Sequence, residues 1–281
     1  MVVVAFLLVI FSGLIHALWN LFVKQSVSKI TFLWSIHLVG FIVLMPYFLL
    51  ELPKLQLDGF GILVLMGSMS FQVLYVFSLI TGYTVGELSL VYPILRGSAA
   101  LLIPIMSILF LGDTLSIAGW IGLLLILIGV FSTGNVNLQS GKNVKLSILI
   151  ALGGGISIAG YTLSDKVLLG YMSPLIIIQF QNFIYLIALL WGSFSSKKLK
   201  EEWTTNWKII LLGSLFVPGA YVLFLFALQL AQVSQLAPMR EISIVFGTLL
   251  GVLFLKERQG IGKAIASCVI VVGIIVLGFF G

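Results

Sequence analysis

About ten stretches of near 20 predominantly apolar residues follow one another along this chain, at roughly 2–23, 31–50, 59–80, 88–110, 115–133, 146–168, 174–194, 207–229, 233–255 and 260–279. A helix of about 20 residues spans the roughly 30 Å hydrocarbon layer of a bilayer and closes all its own backbone hydrogen bonds. The longest connections, about 134–145 and 195–206, are too short to fold as a separate domain. Composition agrees, because only 9% of the residues are charged and 60% are hydrophobic, against about 25% charged in a soluble domain. The chain is read as an all-α membrane protein of about ten transmembrane helices. The first run follows no charged n-region and precedes no cleavage site, so it is expected to be the first span and not a removed signal peptide. One cysteine, Cys268, inside the last run, offers neither a disulfide framework nor a zinc site. No metal and no cofactor are expected. The net charge of +6 is carried by short loops between spans, so nucleic acid is not an expected partner.

The two halves resemble each other. A shift of about 144 residues brings Arg96 onto Arg240, Phe110-Leu111-Gly112-Asp113 onto Phe254-Leu255-Lys256-Glu257, and Gly129 onto Gly273. A shift of about 142 brings Gly13 onto Gly155, Trp19 onto Tyr161 and Asn20 onto Thr162. Five spans per half is an odd number, so the second half must enter the membrane from the opposite side. Two inverted five-helix repeats are expected, at 1–133 and 146–281, with a site near the midplane between them. Counting basic loop residues, about eleven fall on one side and two, Lys54 and Lys166, on the other, which places both termini outside.

Polar residues inside the spans are few, and each needs a partner or water. Arg96 lies in the apolar run 88–110 and Arg240 in 233–255. A guanidinium stays charged in a protein, so at membrane depth it marks a functional site by default. Glu241 and Asp165 are the acidic groups within spans. Arg240 and Glu241 are about 100° apart around a helix, so one can face a cavity while the other pairs across to the opposite half. An Arg96–Glu241–Arg240 network lining a cavity is expected, with Arg96 or Arg240 free to meet a carboxylate or phosphate. A purely structural network is the other reading. Ser12, His16, Asn20 and Lys24 recur every fourth residue and form one stripe, flanked by Trp19. It reads either as a cavity wall or as a helix-packing seam. In the sixth span Gly153, Ser157, Tyr161 and Asp165 repeat the spacing, and Asp165 beside Lys166 is expected to form a solvated ion pair, a role in transport being the other reading. Gly247 and Gly251 form a small-xxx-small pair, read as a packing contact. His37 stands alone and is read as structural.

The candidate substrate-binding residues are therefore His16, Trp19, Asn20, Tyr92, Arg96, Tyr161, Arg240 and Glu241. His16 and Glu241 are the candidates for proton coupling, because an imidazole, or a carboxyl that loses its partner in a dry site, can exchange protons near neutral pH. No catalytic residue is assigned: the chain has no Gly-x-Ser-x-Gly elbow, phosphate loop, His-Glu-x-x-His or paired-cysteine motif.

Three stretches resemble the drug/metabolite transporter superfamily, in particular its EamA-type ten-helix members. They are His16-Ala17-Leu18-Trp19-Asn20 with Lys24, Leu88-Ser89-Leu90-Val91-Tyr92-Pro93 with Arg96-Gly97, and Arg240-Glu241-Ile242-Ser243 ahead of Leu255-Lys256-Glu257-Arg258. The resemblance implies a multi-pass carrier of the bacterial plasma membrane, with a central cavity and alternating access. Many of its members are drawn with cytoplasmic termini, the reverse of what the loop lysines indicate. The expected function is secondary transport of a small polar, amino-acid-like or carboxylate-bearing metabolite, with proton coupling an option that the sequence allows and does not require. The alternative is a lipid-linked flippase or accessory membrane subunit.

Overall fold

A computed structural model describes residues 2–134, 144–193, 196–255 and 260–281, and throughout these the chain is helical with short connections. Most of the 134–145 connection, the 256–258 motif and the side chain of Lys24 lie outside the described residues. The elements are α1 (Val2–Gln25), α2 (Lys29–Glu51), α3 (Gly59–Val85), α4 (Leu88–Leu111), α5 (Ile117–Ser132) and α6 (Val144–Leu168). They are followed by α7 (Pro174–Ala188), the single turn α8 (Leu190–Ser193), α9 (Ser196–Leu228), α10 (Val233–Met239), α11 (Ile242–Leu255) and α12 (Ile261–Phe280).

Local chemistry sets many of these ends. Asp58 and Ser116 accept hydrogen bonds from the amides of Gly61 and Gly119, capping α3 and α5. Gly112 ends α4 in the left-handed region at φ 73°, which a residue without Cβ adopts at no steric cost.

Among the described residues eight stretches are long and apolar enough to cross a membrane, and α5 and α7 are shorter apolar helices. This is an all-α membrane protein of about ten helices. Its outward faces carry large apolar side chains, such as Leu109, Phe110, Leu253 and Phe279, each at least 70% exposed. Its interior holds Ser12, Gln72, Arg96, Asp165, Asn182 and Glu241. That inversion of the soluble pattern suits a lipid solvent, in which apolar exposure costs nothing and polar groups must find partners inside.

Two expectations about the elements are corrected. Residues 196–206, expected as part of a connection, form the first turns of α9, with a kink at Asn206 (φ −119°, ψ 17°). Their polar groups are occupied: the fully buried Glu202 accepts from the Ser28 amide (2.7 Å) and from Asn206 Nδ2 (2.6 Å), and Trp203 Nε1 donates to Ser35 Oγ (2.9 Å). Residues 233–255, expected as one helix, break at Arg240-Glu241 into α10 and α11. The backbone there tightens into three-residue bonds, from the Arg240 amide to the Ala237 carbonyl (3.2 Å) and from the Glu241 amide to the Pro238 carbonyl (3.1 Å). Pro238 cannot donate to the ladder, which helps end α10.

Packing follows one pattern twice. The contact of α1 with α9 has its counterpart in α6 with α3, and α1 with α10–α11 in α6 with α4. Likewise α2 with α9 corresponds to α7 with α3, and α4 with α5 to α11 with α12. The pairs α2–α7, α4–α10 and α5–α12 map onto themselves. The α5–α12 crossing is backbone-close: a Cβ on Gly122 would stand 2.8 Å from the Gly273 carbonyl oxygen, and one on Gly273 2.7 Å from that of Gly122. Gly247 differs, since a Cβ there would meet open space, so the packing reading of that glycine does not hold.

Candidate functional site

Arg96 comes from α4 and is neutralised by Glu241, which the break between α10 and α11 presents to it. Arg96 Nη2 lies 2.9 Å from Glu241 Oε1, and Nε donates to Oε2 at 3.1 Å. Ser243 Oγ accepts a further bond from Nη2 at 3.4 Å. Both charged residues are buried. A two-point guanidinium–carboxylate contact of this kind satisfies both planar groups at once.

Arg240, one residue before Glu241, does not join that pair. Among the described residues no carboxylate forms an ion pair with it. Its guanidinium carbon instead lies 4.2 Å from the ring centre of Phe224 and 5.2 Å from that of Tyr221. The expected three-residue network is therefore a two-residue pair plus a separate arginine. The physical reason is the helix break, which turns consecutive side chains to different neighbours.

Arg240 borders a cavity of about 100 Å³ lined from α1, α2, α3, α6, α7 and α9, room for several waters or a small group. His16 and Trp19 of α1 also line it, with His37 of α2 and Tyr161 of α6. Tyr75, Tyr185, Tyr221 and Gln181 complete its polar and aromatic wall. The tyrosines form a run of edge-on contacts, Tyr75 to Tyr161 and Tyr161 to Tyr221, each 5.9 Å between ring centres. Trp19 Nε1 donates to His16 Nδ1 at 3.1 Å. An indole N–H can only donate, so this nitrogen of His16 carries no proton while the bond stands. His37 Nδ1 pairs with Asn182 Oδ1 at 2.9 Å, and its ring lies 4.6 Å from that of Tyr185.

Asp165 sits deeper, with no exposed surface. Ser68 Oγ donates to its Oδ1 at 2.5 Å and the Tyr221 hydroxyl to its Oδ2 at 2.6 Å. Gln72 Nε2 donates to Ser68 Oγ at 3.2 Å. The expected solvated pair with Lys166 is corrected: that ammonium turns away to the Leu228 and Ala231 carbonyls. Consecutive helix residues point in different directions, and here one points inward and the other toward the end of α9.

Of the sequence candidates, His16, Trp19, Tyr161 and Arg240 come together at the cavity. Arg96 and Glu241 are paired outside the residues that line it, and Asn20 and Tyr92 also stand outside that lining. The α1 stripe divides, since Ser12 bonds the Ala220 carbonyl at 2.6 Å as a packing contact, whereas His16 faces the cavity. His37, expected as an isolated structural residue, is part of the wall. Gln181, one of the few polar side chains inside the predicted spans, also lines it, whereas Tyr75, Tyr185 and Tyr221 are additions that no spacing rule singled out.

Residues 145–279 match the model of the EamA-like transporter family. A relative from Hamiltonella defensa subsp. Acyrthosiphon pisum (strain 5AT), named probable 4-amino-4-deoxy-L-arabinose-phosphoundecaprenol flippase subunit ArnE, is 33% identical over 92 residues. That alignment covers 31% of this chain and 83% of the relative. One solved crystal structure, described only as that of a protein, superposes on 99% of this chain and 99% of its own with a TM-score of 0.80 at 17% identity, a likeness of fold alone. On the family match to its second half and the relative covered over most of its length, the chain belongs to the EamA-like transporter family, within the drug/metabolite transporter superfamily.

Proposed function

We propose that the protein is a secondary carrier of a small organic anion, bearing a carboxylate or phosphate group and an apolar or aromatic body. Arg240 holds the anionic group and Trp19, Tyr161 and Tyr221 flank the body. One observation carries this reading: the matched arginine Arg96 is already neutralised by Glu241, while Arg240 reaches the cavity backed by aromatic rings. A guanidinium resting on ring faces keeps its in-plane donors available for a forked acceptor. The broken helix beside it supports the same reading, because transporters commonly build substrate sites at discontinuous helices. We read residues 1–133 and 146–281 as two inverted units that alternate access to this cavity, in the bacterial plasma membrane. His16 would orient the substrate with the Nε2–H that the Trp19 bond leaves it. Glu241, expected as a proton carrier, is in this reading the standing counter-charge of Arg96.

A second reading, passage of a lipid-linked phosphate, is favoured by the flippase-subunit relative, and Arg240 would serve such a headgroup equally. A thermal-shift screen of the purified protein against carboxylates, phosphate monoesters and short-chain lipid phosphates tests both. Stabilisation by a soluble anion that disappears in Arg240→Ala supports the carrier. Stabilisation only by lipid phosphates supports the second reading, and stabilisation by anions that survives Arg240→Ala removes Arg240 from the site.

A further inference from the structure

Asp165 is the acidic group that the binding site leaves unused. Among the described residues it has no cation: Lys166 is turned to backbone carbonyls, Arg96 on the adjoining α4 is held by Glu241, and Arg240 lies over rings. The titratable groups facing it are hydroxyls, Tyr221 from α9 in direct contact, with Tyr161 of its own helix and Tyr185 of α7 in electrostatic reach. From α3 come Ser68 and Gln72. A carboxylate inside a bilayer without a cation is costly and by default functional.

The neighbouring hydrogen-bond chain can run in either direction. As it stands, Gln72 Nε2 donates to Ser68 Oγ and Ser68 donates to Asp165, the arrangement an ionised carboxylate requires. The other end of that amide, Gln72 Oε1, is buried and has no partner among the described residues. Once Asp165 Oδ1 carries a proton it becomes a donor to Ser68 Oγ, and the Ser68 hydroxyl then needs an acceptor. A half-turn of the Gln72 amide supplies Oε1 as that acceptor. Each protonation state thus has a fully ordered chain, reversed in polarity, and the Tyr221 hydroxyl can donate to Oδ2 in both. Loading forms one O–H bond at Asp165 Oδ1 with a proton drawn from water, and release returns that proton to water. Both carboxylate oxygens already hold hydroxyl contacts at 2.5 and 2.6 Å, which suits a proton better than a larger cation.

Resting on the carrier reading above, we propose that Asp165 is the proton-coupling residue of this transporter, with Ser68 and Gln72 as the reversible relay and Tyr221 as its link to the substrate cavity. Protonation turns the Tyr221 contact from a charge-assisted bond into a neutral one, roughly halving its strength. It thereby loosens a ring that both lines the cavity and backs Arg240. His16 and Glu241 are then not the proton carriers, since each is occupied by Trp19 or Arg96.

The test needs no organic substrate. Purified protein is reconstituted in phosphatidylethanolamine–phosphatidylglycerol vesicles on a capacitive support, and the charge displaced by a rapid pH jump is recorded. Wild type should give a transient that falls to background in Asp165→Asn, and Asp165→Glu should keep one with a displaced pH midpoint. Gln72→Leu should weaken it. A wild-type-sized transient in Asp165→Asn, or none in wild type, overturns the assignment. If Asp165→Asn fails to yield monodisperse protein, Asp165→Glu decides, and an unmoved midpoint counts against Asp165. A sodium jump at fixed pH that gives an Asp165-dependent transient would replace the proton by that ion and also overturn it. Because the readout is proton charge alone, it stands or falls separately from the anion binding assigned to Arg240.

Discussion

Arg96 and Arg240 come into register under the shift of about 144 residues, yet their surroundings differ. Arg96 sits in an unbroken α4 and is locked by two contacts to Glu241. Arg240 sits where its helix breaks, and its positive charge meets aromatic rings and the cavity. The residues that follow them differ as well: Glu241 follows Arg240, whereas Gly97 follows Arg96. The break swings that carboxylate across to the other half, so a single acid neutralises the far arginine and leaves the near one available. On the reading proposed above, the two arginines thus divide into a structural charge and a binding charge without any change in the arginines themselves.

The largest effect should come from stripping Arg96 of its partner. Glu241→Ala leaves a buried cation unpaired and should lower stability by about 3–5 kcal/mol, measured as a loss of melting temperature in detergent. Replacing both members, Arg96→Met with Glu241→Leu, should recover most of that loss; equal losses in the single and double variants would show that the pair is not what Glu241 supports. Next in size, Tyr221→Phe keeps the ring under Arg240 but removes the bond to Asp165, at a cost of about 1.5–3 kcal/mol for a bond to a charged acceptor. An unchanged melting temperature would argue that the hydroxyl and carboxylate are not in contact. Arg240→Ala should cost less, about 0.5–2 kcal/mol for the lost ring contacts, while removing anion-induced stabilisation. A loss as large as that of Glu241→Ala would erase the contrast between the two arginines. Smallest of all, Trp19→Phe removes one hydrogen bond within α1, of about 0.6 kcal/mol if it matches the average bond between membrane helices. Its informative readout is the His16 ring, whose tautomer, followed by nitrogen NMR, should cease to be fixed.

Much of the architecture is legible in the sequence because lipid imposes a simple rule on composition and run length. The pairing of Arg96 with Glu241 is legible for the same reason, since so few charges lie inside spans that their partners are nearly forced. The helix break is not, because the apolar run continues through it and Pro238 alone does not distinguish a kink from a stop. Asp165 was misread because Lys166 is its neighbour in sequence, while its true partners Ser68 and Tyr221 lie 97 and 56 residues away. A signal was present, however: Asp165 falls four residues after Tyr161 on one stripe, and Tyr161 faces the cavity. His37 escaped because its partner Asn182 is 145 residues distant, and nothing in the local pattern of α2 marks it.

The glycine-to-glycine approach of α5 and α12 carries a mechanical consequence. With no side chains between the two backbones at Gly122 and Gly273, there is nothing there to repack, so these two helices have to travel as one stiff spine. In the carrier reading proposed above, the rocking that exposes the interior to either side would pivot against that spine, and spin labels placed on α5 and α12 should hold a constant separation while labels on α1 and α9 shift.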